Sequence, residues 1–285
     1  MTKRNKTRRR TRRRTRRTRK RMIDRDRIPD DYLKCMFSRF GGKCNKAKGF
    51  LKYFPEHETF VEPFLGSGAI FLAKSKTNKN VLNDLDTLMY CIWKNVKTHG
   101  DKFDEINKRK PFDFRPKRSK WEKFLKTHTK GTNIDQLYRS LYVMKNSFNG
   151  MGNSYSSNRY PSHLQKHYRV ELSKYKEKLK DVIILKKDYK DVMIQYDSKD
   201  TFFYLDPPYE VAIKKKGYYE HSDIDLKEMS ELLSKLKGKF MMSLDVTPST
   251  KQLFNQFHQK KILFKYATRK KNKEIYEYLI TNYKI

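Results

Sequence analysis

The chain has 285 residues, of which 67 are Lys or Arg and 32 are Asp or Glu, giving a net charge of +35. Such a charge favours a polyanionic partner, and nucleic acid is the commonest one. The sequence contains no run of 18 apolar residues, and no apolar segment follows its basic N-terminus, so neither a membrane span nor a signal peptide is expected. We therefore expect a soluble, intracellular protein that acts on nucleic acid.

The N-terminus of the chain is a low-complexity basic tail. Its first 21 residues repeat a Thr-Arg-Arg-Arg-like unit and contain 14 Lys or Arg but no acid. Such a segment has nothing to bury and its like charges repel one another, so we predict a disordered tail over residues 1–27. Three interpretations stay open: a solvated tail without a specific role, nonspecific binding to phosphates, and a signal resembling those for nuclear localisation.

Cysteines are sparse in this chain. Cys35, Cys44 and Cys91 are its three cysteines, and no two of them have C-x-x-C spacing. We therefore expect neither a disulfide framework nor a zinc site, and the pattern favours a reducing compartment.

The first predicted unit of regular structure contains two glycine turns. A turn at Ser38–Lys43 precedes a basic helix that ends near Phe54. A strand at Thr59–Glu62 then runs into a segment containing Gly66 and Gly68, and a helix is predicted over Ala69–Lys76. Strand, glycine turn and helix form the first unit of a Rossmann-like sheet, in which glycines let a cofactor approach the backbone.

An acidic residue follows the second predicted strand. That strand covers Asn80–Asn83, and Asp84 comes 18 residues after Gly66. An acid at this spacing is placed to accept hydrogen bonds from the hydroxyl groups of a ribose. Asp84 is equally suited to cap the N-terminus of a helix predicted over Leu85–Val96. The two roles are compatible.

Residues 100–162 differ in pattern from the segments on either side. Lysines, arginines and two prolines precede a helix predicted at Asn133–Asn146, and a Gly/Asn/Ser-rich hairpin loop is predicted over Ser147–Pro161. Loops on a rigid scaffold often carry recognition, so we predict a target-recognition insertion, although a solvated connection would have the same polarity. The candidate contacts to phosphates and base edges are Lys117, Arg118, Lys120, Lys123, Asn149, Asn153, Asn158 and Arg159.

The most informative stretch is Thr201–Tyr209, with the sequence TFFYLDPPY. Its first five residues predict a buried strand, which Pro207 and Pro208 stop because proline supplies no N–H to a strand ladder. Asp206 and Tyr209 are therefore expected on a sharp turn at the carboxyl edge of the sheet, where open α/β sheets bind ligands. A carboxylate, two proline-fixed carbonyls and an aromatic ring around one point suit a planar group that bears an amine.

Further elements are predicted on both sides of this stretch. A polar segment after it, Glu210–His221, is a candidate lid, and its Lys214 and Lys215 are candidate DNA contacts. The other predicted elements are helices at His163–Leu179 and Leu226–Leu236, strands at Val182–Leu185 and Lys239–Leu244, and a closing hairpin of strands near Ile262–Tyr266 and Ile275–Thr281.

Several short motifs, in their order along the chain, resemble those of the Dam-type (class alpha) adenine-specific DNA methyltransferases. The similarity runs from about Ser38 to Tyr283. In this class the cofactor-binding half precedes the catalytic tetrapeptide, and a target-recognition region lies between them. The matching motifs are Phe40-Gly41-Gly42-Lys43, Phe64-Leu65-Gly66-Ser67-Gly68, Asn83-Asp84, Asn149-Gly150, Asp206-Pro207-Pro208-Tyr209 and Ser243-Leu244-Asp245.

The resemblance implies an α/β fold: a Rossmann-like, S-adenosylmethionine-dependent methyltransferase sheet with an inserted, mainly helical target-recognition domain. The catalytic domain would comprise residues 28–99 and 163–285, and the insertion residues 100–162. The implied catalytic residues are Asp206, Pro207, Pro208 and Tyr209. The implied cofactor contacts are Arg39, Phe40, Lys43, Glu62, Gly66, Gly68, Asp84 and Asp206.

The resemblance also implies a reaction. A monomer would flip adenine out of double-stranded DNA and transfer a methyl group from S-adenosylmethionine directly to its amino nitrogen, without a metal. Two alternatives are kept. A methyltransferase for RNA, or for cytosine or glutamine amino groups, could use a similar tetrapeptide. A catalytically inactive DNA-binding or packaging protein would explain the charge, but not the cofactor turn, acid and tetrapeptide together.

The predicted hairpin bears on the target sequence. Many Dam-type enzymes that act on GATC carry a hairpin resembling N-x-x-G-x-F-N-V-P, and the aromatic residue and proline of residues 149–161 are not in register with it. Because base contacts determine specificity, we predict methylation of adenine in a short site other than GATC. An Arg/Thr tail on a bacterial-type enzyme suggests a large DNA virus or its host, and with it the nucleus or a viral replication site.

Overall fold

The computed structural model describes residues 29, 31–130, 133–156, 170–209, 224–267 and 272–285. The predicted disordered tail, the predicted lid and the second half of the predicted recognition hairpin lie outside these residues. Within the described ranges, no helix is long and apolar enough to cross a membrane.

Seven strands of the described part of the chain form one sheet, with the order β3-β2-β1-β4-β5-β7-β6. The strands are β1 (Thr59–Glu62), β2 (Lys79–Asn83), β3 (Ile183–Leu185), β4 (Thr201–Leu205), β5 (Lys239–Asp245), β6 (His258–Ala267) and β7 (Asn272–Thr281). The first five run parallel, whereas β7 is antiparallel to both β5 and β6. All the predicted strands are present, and β6 and β7 are the predicted closing hairpin.

Nine α-helices are present in the same described ranges. They are α1 (Ala47–Leu51), α2 (Ala69–Ala73), α3 (Thr87–Arg109), α4 (Arg118–Leu125), α5 (Ile134–Lys145), α6 (Leu172–Lys178), α7 (Tyr189–Tyr196), α8 (Leu226–Ser234) and α9 (Pro248–Leu253). The sequence analysis did not predict α4, α7 or α9, which are short, and it ended α3 too early. Because α3 continues through residue 100, the predicted domain boundary falls inside a helix, and the division into domains stays a prediction.

Side chains of the central strands alternate between two hydrophobic cores, one on each face of the sheet. On β4, Phe202 and Tyr204 enter one core and Phe203 and Leu205 enter the other, and none of the four is more than 1% exposed. Residues of α1 to α6 cover the first core, and residues of α7 and α8 cover the second. This is a three-layer α/β/α arrangement, so the predicted α/β fold class is confirmed.

Helices of the predicted insertion pack on the first core and have no separate core of their own among the described residues. Trp121 of α4 and Tyr142 of α5 belong to the same apolar cluster as Phe202 of the sheet. The Trp121 indole N–H donates to the Val143 carbonyl at 3.1 Å, which ties α4 to α5. The region therefore shares its hydrophobic core with the sheet.

Contrary to the prediction from cysteine spacing, Cys35 and Cys44 form a disulfide. The chain reverses at Gly41, where φ is +74°, and this reversal brings the two Cα atoms to 5.8 Å. Spacing gave no sign of the bridge because the pairing depends on the turn between the two residues. Cys91 is a buried thiol on α3. The described residues contain no cluster of three or more His, Cys, Asp or Glu side chains that could hold a metal ion.

Candidate active site

A cavity of about 340 Å³ lies at the carboxyl ends of β1, β2 and β4. The strand order reverses between β1 and β4, and such a switch point is where doubly wound sheets bind ligands. The cavity has the size of a small-molecule site. It is lined by all four residues of the tetrapeptide, and by every predicted cofactor contact except Gly68: Arg39, Phe40, Lys43, Glu62, Gly66, Asp84 and Asp206.

The glycine turn after β1 is held from both sides. The Gly66 N–H donates to Asp84 Oδ2 at 2.7 Å, and the Gly66 carbonyl accepts from the Trp93 indole at 2.9 Å. Gly66 has φ +49°, and the atom nearest to the position of a Cβ is 4.0 Å away, so its backbone faces open space. Gly68 differs, because a Cβ there would lie 2.5 Å from Trp93. Gly68 is thus a packing position at the start of α2.

Asp84 is a structural partner of this turn and not a helix cap. Its Oδ1 accepts from the Asp86 N–H at 3.0 Å. The N-cap of α3 is Asp86, whose Oδ1 accepts from the N–H groups of Leu88 and Met89. The N-cap interpretation of Asp84 is therefore wrong, because α3 begins two residues later than predicted. Burial, reinforced by the Asp86 charge and opposed by Arg39, raises the pKa of Asp84 to about 6.

Arg39 connects three segments at one end of the cavity. Its guanidinium lies 2.5 Å from Asp86 Oδ2, and only 8% of its side chain is exposed. It also donates to the Met151 carbonyl at 3.5 Å. The backbone of Gly150 packs so tightly on Ser38 that a Cβ would lie 2.1 Å from the Ser38 carbonyl oxygen. The Ser38–Lys43 turn, the start of α3 and the residue 148–152 turn are therefore in direct contact.

The tetrapeptide carboxylate is held by two donors. Lys43 Nζ lies 2.6 Å from Asp206 Oδ1, and the Ser243 hydroxyl donates to the same oxygen at 2.8 Å. Ser243 is on β5, whose end was expected at this edge of the sheet. Lys43 also donates to the Tyr209 hydroxyl at 2.8 Å and to the Gly41 carbonyl at 3.3 Å. Burial, and then the Asp206 charge, raise the pKa of Tyr209 well above its usual range, so this phenol is protonated at neutral pH.

Glu62 at the end of β1 has a different environment. It is 2% exposed, and its Oε2 accepts from the Phe71 N–H of α2 at 3.2 Å. Burial, followed by repulsion from Asp206, raises the pKa of Glu62 well above its ordinary value. Glu62 lines the cavity beside Asp206.

The sequence analysis missed two charged residues, Glu277, which lies outside the cavity lining, and Asp188, which is part of it. Glu277 on β7 pairs with Lys46 at 2.8 Å and with Lys43 at 3.7 Å. An isolated acid in a strand carries no sequence signal for such a role. Asp188 was also missed, although it follows β3 and caps α7 and thus repeats the strand-acid-helix pattern at Asp84 to Asp86.

The predicted DNA contacts are only partly within the described residues. Lys117 and Arg118 are exposed at the start of α4, and the Arg118 guanidinium lies 5.4 Å from the ring centre of Tyr155. A bridge between Ser147 and Tyr155 closes the first part of the hairpin. Asn149 is in its turn with φ +49°, and Asn153 is exposed. Asn158, Arg159, Lys214 and Lys215 lie outside the described residues.

Lys120 is half-buried. Its ammonium donates to the Asp113 carbonyl at 2.9 Å and to the Tyr138 hydroxyl at 2.6 Å, and lies 4.7 Å from the Tyr142 ring centre. Burial lowers the pKa of Lys120. These contacts assign Lys120 to the packing of α4 on α5, in contrast to the exposed Lys117.

A doubly wound sheet carries the glycine turn after β1, the acid after β2 and the Asp-Pro-Pro-Tyr turn after β4 around one cavity, which is the arrangement of a ligand-binding α/β enzyme. The family model of the D12 class N6 adenine-specific DNA methyltransferases matches residues 40–275. The chain belongs to this family, and it methylates adenine in DNA. The predicted resemblance is thereby confirmed.

Individual relatives agree with this assignment. The chain is 26% identical to the type II methyltransferase M.CviBI of Paramecium bursaria Chlorella virus NC1A, over 82% of this chain and 93% of that protein. It is 24% identical to the type II methyltransferase M.MjaIII of Methanocaldococcus jannaschii, over 79% of this chain and 88% of that protein. It is 23% identical to the DNA adenine methylase of Salmonella typhi, over 59% of this chain and 62% of that protein.

Proposed function

We propose that the protein is a site-specific methyltransferase that transfers the methyl group of S-adenosylmethionine to the amino nitrogen of an adenine flipped out of double-stranded DNA. The observation that carries the proposal is the position of Asp206. Its carboxylate is fixed by Lys43 and Ser243 at the edge of a cavity that the glycine turn also lines.

The residues present fit S-adenosylmethionine. The open backbone at Gly66 would allow a cofactor to lie against the turn, and a side chain there would fill that space. Asp84 would accept hydrogen bonds from ribose hydroxyls, and Asp206 would lie near the positively charged end of the cofactor. When bound, the cofactor supplies an electrophilic methyl group on a sulfonium.

By resemblance, Arg39 or Phe40 occupies the position where many Dam-type relatives have an aromatic residue beside the adenine of the cofactor. The Arg39 guanidinium is planar, and the ion pair with Asp86 fixes its position. Such a group stacks on aromatic faces, so Arg39 would take over the stacking contact. Phe40 lines the same cavity and is the other candidate for this contact.

The tetrapeptide would activate the amine of the substrate. An adenine amino nitrogen is a poor nucleophile because its lone pair is delocalised into the ring. Asp206 and the Pro207 carbonyl would accept the two amino hydrogens, which localises the lone pair and stabilises the positive charge that develops during attack. The Lys43 and Ser243 bonds both reach Oδ1, so we expect Oδ2 to accept from the amine. Tyr209 would stack on the extruded base.

DNA binding would depend mainly on charge. Lys117 and Arg118 would contact phosphates beside the hairpin, and Asn153, which is exposed, would reach a base edge. We also keep Asn149, Asn158, Arg159, Lys214 and Lys215 as proposed DNA contacts from the sequence.

The test is methyl transfer itself. The purified protein is incubated with labelled S-adenosylmethionine and either unmethylated double-stranded DNA or RNA, and the products are digested and analysed by mass spectrometry. We expect N6-methyladenine in DNA and no label in RNA. Equal or greater labelling of RNA, or labelling of cytosine, would contradict the proposed substrate. Long-read sequencing of the modified DNA then gives the site, which we expect to differ from GATC.

A further inference from the structure

Glu277 is a buried acid that lies close to the ammonium groups of two lysines. It lies on β7, opposite Asp245 of β5 and Ile262 of β6, and 4% of its side chain is exposed. Its Oε1 lies 2.8 Å from Lys46 Nζ, and its Oε2 lies 3.7 Å from Lys43 Nζ. The first contact is a hydrogen-bonded ion pair, and the second is an electrostatic contact beyond hydrogen-bond length.

Lys43 already uses its three ammonium hydrogens elsewhere. They reach Asp206 Oδ1, the Tyr209 hydroxyl and the Gly41 carbonyl, at 2.6, 2.8 and 3.3 Å. An ammonium group has three donors, so these bonds fix its direction. Glu277 therefore interacts with Lys43 by electrostatic attraction and not through a hydrogen bond.

The four charged groups of the network balance. Lys43 is 2% exposed and Lys46 is 9% exposed, and the carboxylates of Asp206 and Glu277 compensate their two positive charges. Burial lowers the pKa of Lys46, and the Glu277 charge opposes this shift. The nearby phenols of Tyr204 and Tyr209 have pKa values raised by burial, so they add no charge at neutral pH. Among these four ion-paired groups, loss of Glu277 alone would leave an excess of one positive charge.

We propose that Glu277 is a positioning residue for methyl transfer, which compensates Lys43 and Lys46 so that Asp206 remains available to the amine of adenine. The inference rests on the proposed function. Glu277 does not line the cavity, so it acts through Lys43 and touches neither substrate. Without it, Asp206 alone would face two ammonium groups, and the added positive potential would oppose the positive charge that develops on the adenine nitrogen.

The first test is Glu277→Gln, which removes the charge and keeps the size of the side chain. We expect kcat to fall roughly tenfold to a hundredfold, with KM for DNA and S-adenosylmethionine nearly unchanged, because the lost effect is on the transition state. Glu277→Asp restores the charge, and it should recover more kcat than Gln does. Glu228→Gln is the matched control, since Glu228 pairs with Lys190 on the exposed surface. Its kcat should equal that of the wild type.

The second test separates charge compensation from packing. In Lys46→Met/Glu277→Gln, one buried ammonium faces one buried carboxylate, so the double variant should have a higher kcat than Glu277→Gln alone. A double variant as slow as or slower than the single one would overturn the inference, and so would a Glu277→Gln enzyme with wild-type kcat. An inactive wild-type protein would instead contradict the proposed function. If Glu277→Gln does not fold, the inference requires that the double variant folds and turns over.

Discussion

Lys43 Nζ and Asp206 Oδ1 are 2.6 Å apart, although 163 positions separate the two residues in the sequence. The contact joins the Ser38–Lys43 turn to the first residue of the tetrapeptide. Because the same lysine also binds the Tyr209 hydroxyl, the acid and the aromatic ring of the tetrapeptide are held in one fixed arrangement. The site is thus preorganised by a buried cation.

Asp206→Ala should abolish methyl transfer while leaving DNA affinity nearly unchanged. The variant removes the acceptor for the adenine amine, whereas phosphate contacts elsewhere dominate binding to DNA. Turnover of labelled S-adenosylmethionine and a DNA-binding titration at one fixed salt concentration measure the two effects. Residual turnover within about tenfold of wild type would contradict the role assigned to Asp206.

Asp84→Ala and Asp86→Ala should affect different properties. Loss of Asp84 should weaken cofactor binding by about 1–3 kcal/mol, the value of a charge-assisted hydrogen bond. Loss of Asp86 removes the cap of α3 and the partner of Arg39, so it should lower the free energy of unfolding by about 0.5–2 kcal/mol. Calorimetric titration and thermal melting of both variants provide the comparison. Unchanged cofactor affinity in Asp84→Ala would remove Asp84 from the cofactor site.

The charge of Asp84 should also make stability depend on pH. Its pKa is about 6 in the folded protein against an ordinary value of 3.8, so folding favours the protonated form. The stabilising contribution of that form is complete below the unfolded pKa and is lost as pH rises through about 6. Asp84→Asn stays neutral and should therefore gain in melting temperature relative to wild type between pH 4.5 and 7.5. Parallel melting curves across this range would contradict the shifted pKa.

The strands of the sheet could be predicted from the sequence because each one is indicated by a pattern of neighbouring residues. The apolar run at Thr201–Leu205 and the prolines after it determine where β4 ends, and the strand, glycine turn and acid pattern gives the β1 to β2 unit. The N-cap of α3 was assigned to the wrong aspartate because Asp84 and Asp86 both fit a cap, and only the bond from the Gly66 N–H distinguishes them. Glu277, Lys46 and the Cys35–Cys44 bridge depend on contacts between segments that are distant in sequence or on a chain reversal. Such contacts cannot be predicted from the pattern of neighbouring residues.

The disulfide should stabilise the turn that carries Arg39 and Lys43. It closes the loop between Cys35 and Cys44, and the Ser67 hydroxyl lies 3.8 and 3.4 Å from the two sulfur atoms. For a loop this short, chain entropy predicts a stabilisation of about 2–3 kcal/mol. Reduction of the native protein should therefore lower its melting temperature and its affinity for S-adenosylmethionine.

A double variant provides the control for this effect. Cys35→Ser/Cys44→Ser should behave like the reduced protein, and a reductant should change it no further. Thiol counting by mass spectrometry on the native protein is the direct check. Three free thiols in protein purified without reductant would show that the bridge does not form.

Gly150→Ala should be strongly destabilising, because the contact between the residue 148–152 turn and the Ser38–Lys43 turn has no room for a side chain. Gly150 has φ +66°, and an added Cβ would lie 2.1 Å from the Ser38 carbonyl oxygen. The left-handed backbone alone costs roughly 1–3 kcal/mol for a non-glycine residue, and the clash adds to it. Cofactor affinity should fall as well, since relief of the clash must move Ser38 and Arg39.

Gly49→Ala is the matched control for that substitution. Gly49 is exposed in the middle of α1, and no atom lies within 4 Å of an added Cβ. Alanine there should raise the free energy of unfolding by roughly 0.5–1 kcal/mol, because it restricts the unfolded chain and favours the helix. Denaturant unfolding of both variants, with calorimetric titration of S-adenosylmethionine, measures the contrast. If Gly150→Ala had wild-type stability and affinity, the turn would not pack on Ser38 in solution.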